Sequence, residues 1–272
     1  MSSQPGSATP AGGITLSDRD IAAAQELLRR AGEEPALPVL TDEEIVALDG
    51  IDNPQAVVLP WLSGHEEQKE LACNVALRTL LSKGFVVPVA DEPGQVPTRI
   101  GADLDLTGVM TLRRSGQKVV VTELTKADDQ GEEKVWLYSY LHGDFALQEL
   151  VDSAGSHAFS FRPLSTLPGA LLELANAQGL TGQDGETESL DQDGFTRRAT
   201  AELADVRGVT TVVVIDSASD DTGNLTIYTG PQDLHALEAA DADGQARYLF
   251  GKVSADTLAA RLSALIATGT AA

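Results

Sequence analysis

The sequence predicts an α+β fold of two pseudo-two-fold-related halves, with a mainly antiparallel central sheet and flanking helices. Three observations predict it. A faint duplication is the first: Gly108-Val109-Met110-Thr111-Leu112 returns as Gly208-Val209-Thr210-Thr211-Val212, and Asp144-Phe145-Ala146-Leu147-Gln148-Glu149-Leu150 is echoed by Asp256-Thr257-Leu258-Ala259-Ala260-Arg261-Leu262. Each copy reads as strand, turn, strand, further strand, then a helix opened by Asp. The second is a middle region of short apolar runs separated by turn residues. The third is a set of helices with clear start and stop signals near both ends of the chain.

At 272 residues the chain can bury a full core as one large or two small domains. Aromatics make up only 4%, so Leu, Val, Ile and Ala must fill the interior. Acids outnumber bases 41 to 19, a net charge of −22, and such a surface repels phosphate backbones and anionic membranes. No nucleic-acid and no membrane partner is expected. The lone Cys73 forms no internal disulfide and lies in an apolar helical stretch, as a buried structural thiol. Residues Met1–Ile14 hold neither a basic nor an apolar signal region, and no run approaches the roughly 20 apolar residues of a membrane span. The expected location is cytoplasmic.

Residues 1–14, rich in Ser, Pro, Gly and Ala, read as a disordered tail. Residues 15–178 read as the first half with its N-terminal helices, 179–194 as an acidic Gly-rich linker or mobile loop, and 195–272 as the second half. In the first half, Ser17 or Thr15 caps a helix to about Arg30, with Ile21, Ala24, Leu27, Leu28 and Ala31 on one face. Thr41-Asp42-Glu43-Glu44 is a capping box that opens a short helix. A longer helix is expected over Glu66–Ser82, with Leu71, Val75, Leu77 or Ala76, Leu80 and Leu81 as its apolar positions and Lys83-Gly84 as its stop. A short strand, Phe85–Val89, and a turn-rich stretch, Asp91–Pro97, follow.

Gly108–Arg114 and Lys118–Leu124 flank Ser115-Gly116-Gln117 as a predicted hairpin. Thr125–Glu133 reads as a charged loop and Lys134–Leu141 as a strand, with Trp136, Tyr138 and Tyr140 on one side. That aromatic side offers a homodimer surface if nothing covers it. Asp144–Asp152 reads as a helix, Ala158–Arg162 as a strand and Pro168–Ala177 as a helix. The second half reads as helix Thr196–Val206, strands Val209–Ile215 and Asn224–Thr229 around an acidic turn, and a loop or helical turn from Pro231. An acidic loop Ala239–Gly244, strand Arg247–Val253 and a Ser254-capped helix Asp256–Ala267 complete it.

Catalytic signatures are sparse. There is no phosphate-cradling glycine loop, no HExxH, no paired-cysteine metal site and no GxSxG elbow, and His65, His142, His157 and His235 are far apart in sequence. Asp216–Gly223 lacks the spaced ligands and closing Glu of a calcium loop and reads as a solvated turn. No catalytic residue, metal or cofactor is expected, and the chain reads as a binding protein rather than an enzyme. One alternative is a winged-helix-containing transcriptional regulator, with Glu66–Ser82 as recognition helix running into a wing. It needs Arg78 and Lys83 on a basic face, against Glu66, Glu67 and Glu70. The other is an enzyme of unrecognised class, which needs a deep pocket gathering histidines or carboxylates.

The order of elements resembles a known family. The helix ending Leu80-Leu81-Ser82-Lys83-Gly84-Phe85-Val86, the strands over Gly108–Leu124, the strand–helix over Trp136–Leu150 and the ending Val253-Ser254-Ala255-Asp256-Thr257-Leu258 resemble the EspG family of actinobacterial type VII secretion chaperones. The resemblance covers most of residues 40–267 and rests on layout, not on a diagnostic motif. It implies a quasi-two-fold α+β fold and a cytosolic chaperone that binds the helical tip of a secreted PE–PPE protein pair. It also implies that the loop after the second strand, here Thr125–Glu133 with Thr125, Lys126, Asp128 and Asp129, and the C-terminal helical part contact the client. The leucine-rich helix beside the acidic segment, with Leu167 and Leu171, offers such a client an exposed apolar patch or else is ordinary core. The N-terminal extension and the strong acidity depart from the family.

Overall fold

The computed structural model describes residues 16–89, 96, 99–128, 131–218, 222–242 and 245–267. The expected tail (1–14) and most of the Asp91–Pro97 turn lie outside them.

The strands are β1 (Val39–Thr41), β2 (Val86–Val89), β3 (Arg99–Ala102), β4 (Lys118–Asp128), β5 (Gly131–His142), β6 (Phe145–Val151), β7 (Ser156–Pro163), β8 (Glu188–Leu190), β9 (Gly208–Asp216), β10 (Thr222–Thr229), β11 (Leu234–Ala242) and β12 (Gln245–Lys252). The helices are α1 (Asp18–Arg29), α2 (Asp42–Asp49), α3 (Lys69–Lys83), α4 (Leu104–Ser115), α5 (Leu167–Ala175), α6 (Gln192–Glu202) and α7 (Ala255–Ala267). β2 and β3 form a separate ribbon; the rest join one ten-stranded sheet, β1-β7-β6-β5-β4-β9-β10-β11-β12-β8, in which every pair is antiparallel. The order is symmetric about the β4–β9 pair. On each side a four-strand meander runs outward and ends in a short edge strand, β1 or β8, drawn from upstream sequence. The expected α+β architecture of two related halves is therefore present.

The fragments that pointed to the duplication are not its repeat. Gly108–Leu112 lies in helix α4, whereas Gly208–Val212 lies in strand β9; Asp144–Leu150 runs into strand β6, whereas Asp256–Leu262 lies in helix α7. The corresponding elements are β4 to β7 with α5, and β9 to β12 with α7. The reason is physical. Asp103 accepts a hydrogen bond from the Leu106 amide at 2.7 Å and opens α4, whose Leu106, Val109, Met110 and Leu112 are all buried between α1 and the sheet. A helix apolar on several sides has no clean 3.6-residue pattern. Phe145–Val151 has helix-like spacing, but pairing with both β5 and β7 makes it a strand. The expected loops over Pro231–Leu237 and Ala239–Gly244 are largely β11 and its hairpin to β12, with residues 243 and 244 outside the described set.

Locally encoded ends follow expectation. Ser17 with Asp20, and Thr41 with Glu44, form reciprocal capping boxes, and Gly84 closes α3 in the left-handed region at φ 76°. The segment 179–194 runs along the second half rather than away from it. Asp184 accepts from the Ser254 amide at 2.8 Å and the Thr257 hydroxyl at 2.9 Å, and Gly185 donates to the Lys252 carbonyl at 3.1 Å.

Alternation along the central strands sorts side chains onto two faces. Val120, Val212, Val214, Leu225 and Ile227 are buried with Leu167, Leu171, Leu258 and Leu262 of α5 and α7. On the opposite face, Val119, Val121, Tyr138 and Tyr140 pack with Leu27 of α1 and Leu106, Val109 and Leu112 of α4.

Candidate partner-binding face

The two faces are not covered equally. Opposite α5 and α7, cross-strand register lays down rows that run from one half to the other. One reads Lys134, Thr125, Val209, Tyr228, His235; the next reads Trp136, Glu123, Thr211, Thr226, Leu237, Phe250; a third reads Tyr138, Val121, Val213, Asn224, whose side chain accepts from the amide of Ala239, the partner of Tyr248. The outer members are covered. Tyr138 and Tyr140 lie under the N-terminal helices, and Phe250 and His235 are buried under α6. The central members are half-open: Glu123, Thr125, Val209, Thr211, Val213, Asn224, Thr226 and Tyr228 are each part-exposed, and Ile215 is 44% exposed. Their neighbours on the other face, Thr122, Leu124, Thr210, Val212, Leu225 and Ile227, are buried. The result is a Val/Thr stripe between two packed walls.

Each wall has a defined cause. In the α6 wall, Phe195 stacks on Tyr248 with ring centroids 5.3 Å apart and meets Phe250 edge-on at 5.6 Å, while Arg198 lies over the Phe250 ring at 5.7 Å. His235 is stacked on Phe250 from the opposite strand, and burial pushes its pKa down, so the ring is held neutral in an aromatic setting.

The other wall stands on a buried ion network. His157 Nε2 is 2.8 Å from Asp42 Oδ1, and its Nδ1 is 2.8 Å from Glu149 Oε1. The second Glu149 oxygen accepts from Arg113 Nε at 2.8 Å and from the Tyr140 hydroxyl at 2.7 Å. Arg113 Nη1 reaches Asp49 at 2.6 Å, and Arg114 also pairs with Asp49. Asp42 further accepts from the amides of Trp61 and Leu62 at 2.8 and 2.9 Å. Burial disfavours the charged form of His157, but hydrogen bonds to Asp42 and Glu149 outweigh it and raise its pKa. Burial likewise opposes ionisation of Glu149, but the His157 hydrogen bond and the Arg113 charge outweigh it and lower its pKa. Asp42, Glu149 and Asp49 therefore balance His157, Arg113 and Arg114, joining both ends of α2 to α4, β6 and β7.

This cluster gathers a histidine and two carboxylates, as an enzyme site would, but His157, Asp42 and Glu149 are 0% exposed. No reactant reaches them in this conformation, and their geometry serves to hold helices on the sheet. The other histidines lie elsewhere: His65 stacks on Trp61, and His142 contacts the Leu112 carbonyl. Among the described residues no group of three His, Cys, Asp or Glu is arranged to hold a metal ion.

The residues singled out in the sequence fall in three places. Thr125 is on the half-open face, directly across from Val209. Of the expected loop, Thr125–Asp128 pairs with Gly131–Lys134 as the end of the β4–β5 hairpin; Lys126 there is exposed and opposite Glu133, Asp128 pairs with Gly131, and Asp129 lies outside the described residues. Leu167 and Leu171 are 0% exposed and form core beneath the sheet, not an apolar patch. Tyr138 and Tyr140 are also buried, which leaves half-buried Trp136 as the open part of the aromatic side of β5. Val209, Thr211, Val213, Asn224, Thr226 and Tyr228 were not singled out. Their only signal is the Val/Thr-rich composition of Gly208–Asp216 and the strand pattern of Asn224–Thr229, neither of which says which face is open.

The winged-helix alternative finds its element order, α2, α3, then the β2–β3 ribbon, but not its charge. The exposed side of α3 carries Glu70, Leu71, Asn74, Val75 and Arg78, Glu67 is exposed in the turn before it, and Lys83 is paired with Glu44 at 3.0 Å. No basic face forms.

No protein-family model and no curated protein sequence matches the chain. Among solved structures, the fold is similar to that of the Mycobacterium tuberculosis type VII secretion system chaperone EspG5, solved in complex with a PE25–PPE41 dimer. The TM-score is 0.55 at 10% identity, over 85% of this chain and 96% of that one. The likeness is one of fold.

Proposed function

We propose that the chain is a non-catalytic chaperone of the type VII secretion class, acting in the cytosol on a PE–PPE-like helical protein pair. The half-open Val/Thr stripe over β4, β9 and β10 carries this reading, on a sheet whose fold is similar to that of EspG5. A helical tip lying in the stripe would bury its apolar residues against Val209, Val213 and Ile215 while Thr211, Thr226 and Tyr228 supply polar contacts. The end of the β4–β5 hairpin, with Thr125, Lys126, Asp128 and Asp129, is proposed as the flanking contact; Leu167 and Leu171 support the strands from below. In this reading, residues 15–178 and 195–272 are the two halves and 179–194 is the connection between them.

The test is affinity capture from the native host's cytosol, with bound proteins identified by mass spectrometry, using the wild-type chain and Thr211→Arg/Thr226→Arg. Stoichiometric recovery of a helical secreted pair by wild type alone supports the proposal. Equal recovery by both forms, or recovery of no such pair, overturns it.

A further inference from the structure

Helix α3 is apolar on two sides. Cys73, Ala76 and Leu80 pack inward, as a helix of a small domain should. Leu71 and Val75, which belong to its predicted apolar positions, instead face outward at 68% and 53% exposure. They stand one turn apart and make a contiguous apolar step. Toward the N-terminus the same exposed side carries Glu70, with exposed Glu67 in the 3-10 turn Leu62–Gln68 just before the helix; toward the C-terminus it carries Arg78. Among the described residues none of these three charges forms an ion pair, in a chain with only 19 basic residues to 41 acidic ones.

That order of charges is self-complementary. Two α3 helices packed antiparallel across a two-fold axis bring Leu71 of each copy against Val75 of the other. The axis then passes at the level of Cys73, with Arg78 about 7.5 Å along one helix and Glu70 of the second copy about 4.5 Å along the other, at 1.5 Å per residue, and Glu67 in the turn just beyond. Arg78 of each copy meets the acidic end of its mate, twice over, as an isologous interface requires. A parallel arrangement would place Glu67 and Glu70 against their own copies and is disfavoured.

We infer that the outward face of α3 is a homodimer contact, formed by Leu71 and Val75 and ordered by Arg78 against Glu67 and Glu70 of a second copy. One helix of 15 residues offers less than the roughly 800 Å² per partner of a stable complex. The dimer is therefore weak and forms only toward the upper end of the micromolar to millimolar range. It uses a surface distinct from the Val/Thr stripe and stands independently of the proposed client.

Sedimentation equilibrium of the full chain over micromolar to millimolar concentration tests it. Wild type is expected to pass from monomer to dimer. Leu71→Glu is expected to remain monomeric with unchanged thermal unfolding, since the side chain is exposed. Arg78→Glu is expected to raise Kd about tenfold, and Arg78→Glu combined with Glu67→Arg and Glu70→Arg to restore it to within about threefold. A wild-type chain that stays monomeric throughout overturns the inference. So does a dimer that Leu71→Glu leaves intact, or charge reversals that fail to rescue one another.

Discussion

His157 Nε2 stands 2.8 Å from Asp42 Oδ1, joining strand β7 to the first residue of helix α2 across 115 positions of sequence. Its other nitrogen faces Glu149, so both ring nitrogens meet carboxylates. Two carboxylate acceptors call for two ring protons, and the imidazolium is the form that satisfies them. The network also fixes α4 through Arg113, and α4 carries the wall of the half-open stripe.

Stability should follow this network in pH. The raised pKa of His157 means that its contribution is complete below the ordinary imidazole value of about 6.5 and is lost as pH rises through the folded-state value. The lowered pKa of Glu149 acts in the other direction: its contribution is present above about 4.3 and lost as pH falls through the folded-state value. Thermal unfolding across pH should show greatest stability between these limits. His157→Gln should lower that maximum by about 3–5 kcal/mol, because two buried carboxylates lose a cation, and should flatten the alkaline fall.

Lys118 begins β4 opposite Asp216 of β9, and its amino group donates to the Ile266 carbonyl in the last turn of α7. Burial lowers its pKa, yet its place at a helix C-terminus favours the charged form. Lys118→Met should cost about 1–3 kcal/mol by denaturant unfolding and loosen the last turn of α7 in amide exchange.

Thr122 is 0% exposed and its hydroxyl has no hydrogen-bond partner among the described residues. Thr122→Val keeps the shape and removes the unsatisfied group. A gain of about 1 kcal/mol in unfolding free energy is expected, read as a higher Tm.

Helix α6 contains no fully buried residue, and Phe195 is its main aromatic anchor on Tyr248 and Phe250. Phe195→Ala should release protection from amide exchange over residues 192–202 while the central strands stay protected. The global loss should be about 1–3 kcal/mol, since Phe195 is only half-buried.

Much of the chain was legible where the determining contacts are local. The capping boxes at Ser17 and Thr41, the Gly84 stop, the strands about Val121, Tyr138 and Val213, and the Ser254-led final helix need only residues a few positions apart. Reading failed where burial on several sides erased periodicity, as in α4, or where two flanking strands overrode helix-like spacing, as in β6. The candidate face was less legible still. Thr125 was singled out and lies on it, but Leu167 and Leu171 carry the same leucine-rich signal whether they meet a partner or a core.

By itself, the sequence determined the α+β class, the acidic surface, the capped helix ends and most of the strands, because composition and short-range hydrogen bonding decide these. Only the tertiary structure decided which residues meet across the β4–β9 seam, that His157 joins Asp42 to Glu149, and which face of the central strands stays open. Those outcomes depend on register and on which helix packs where, and both are set by contacts between residues that are neighbours in space but not along the chain.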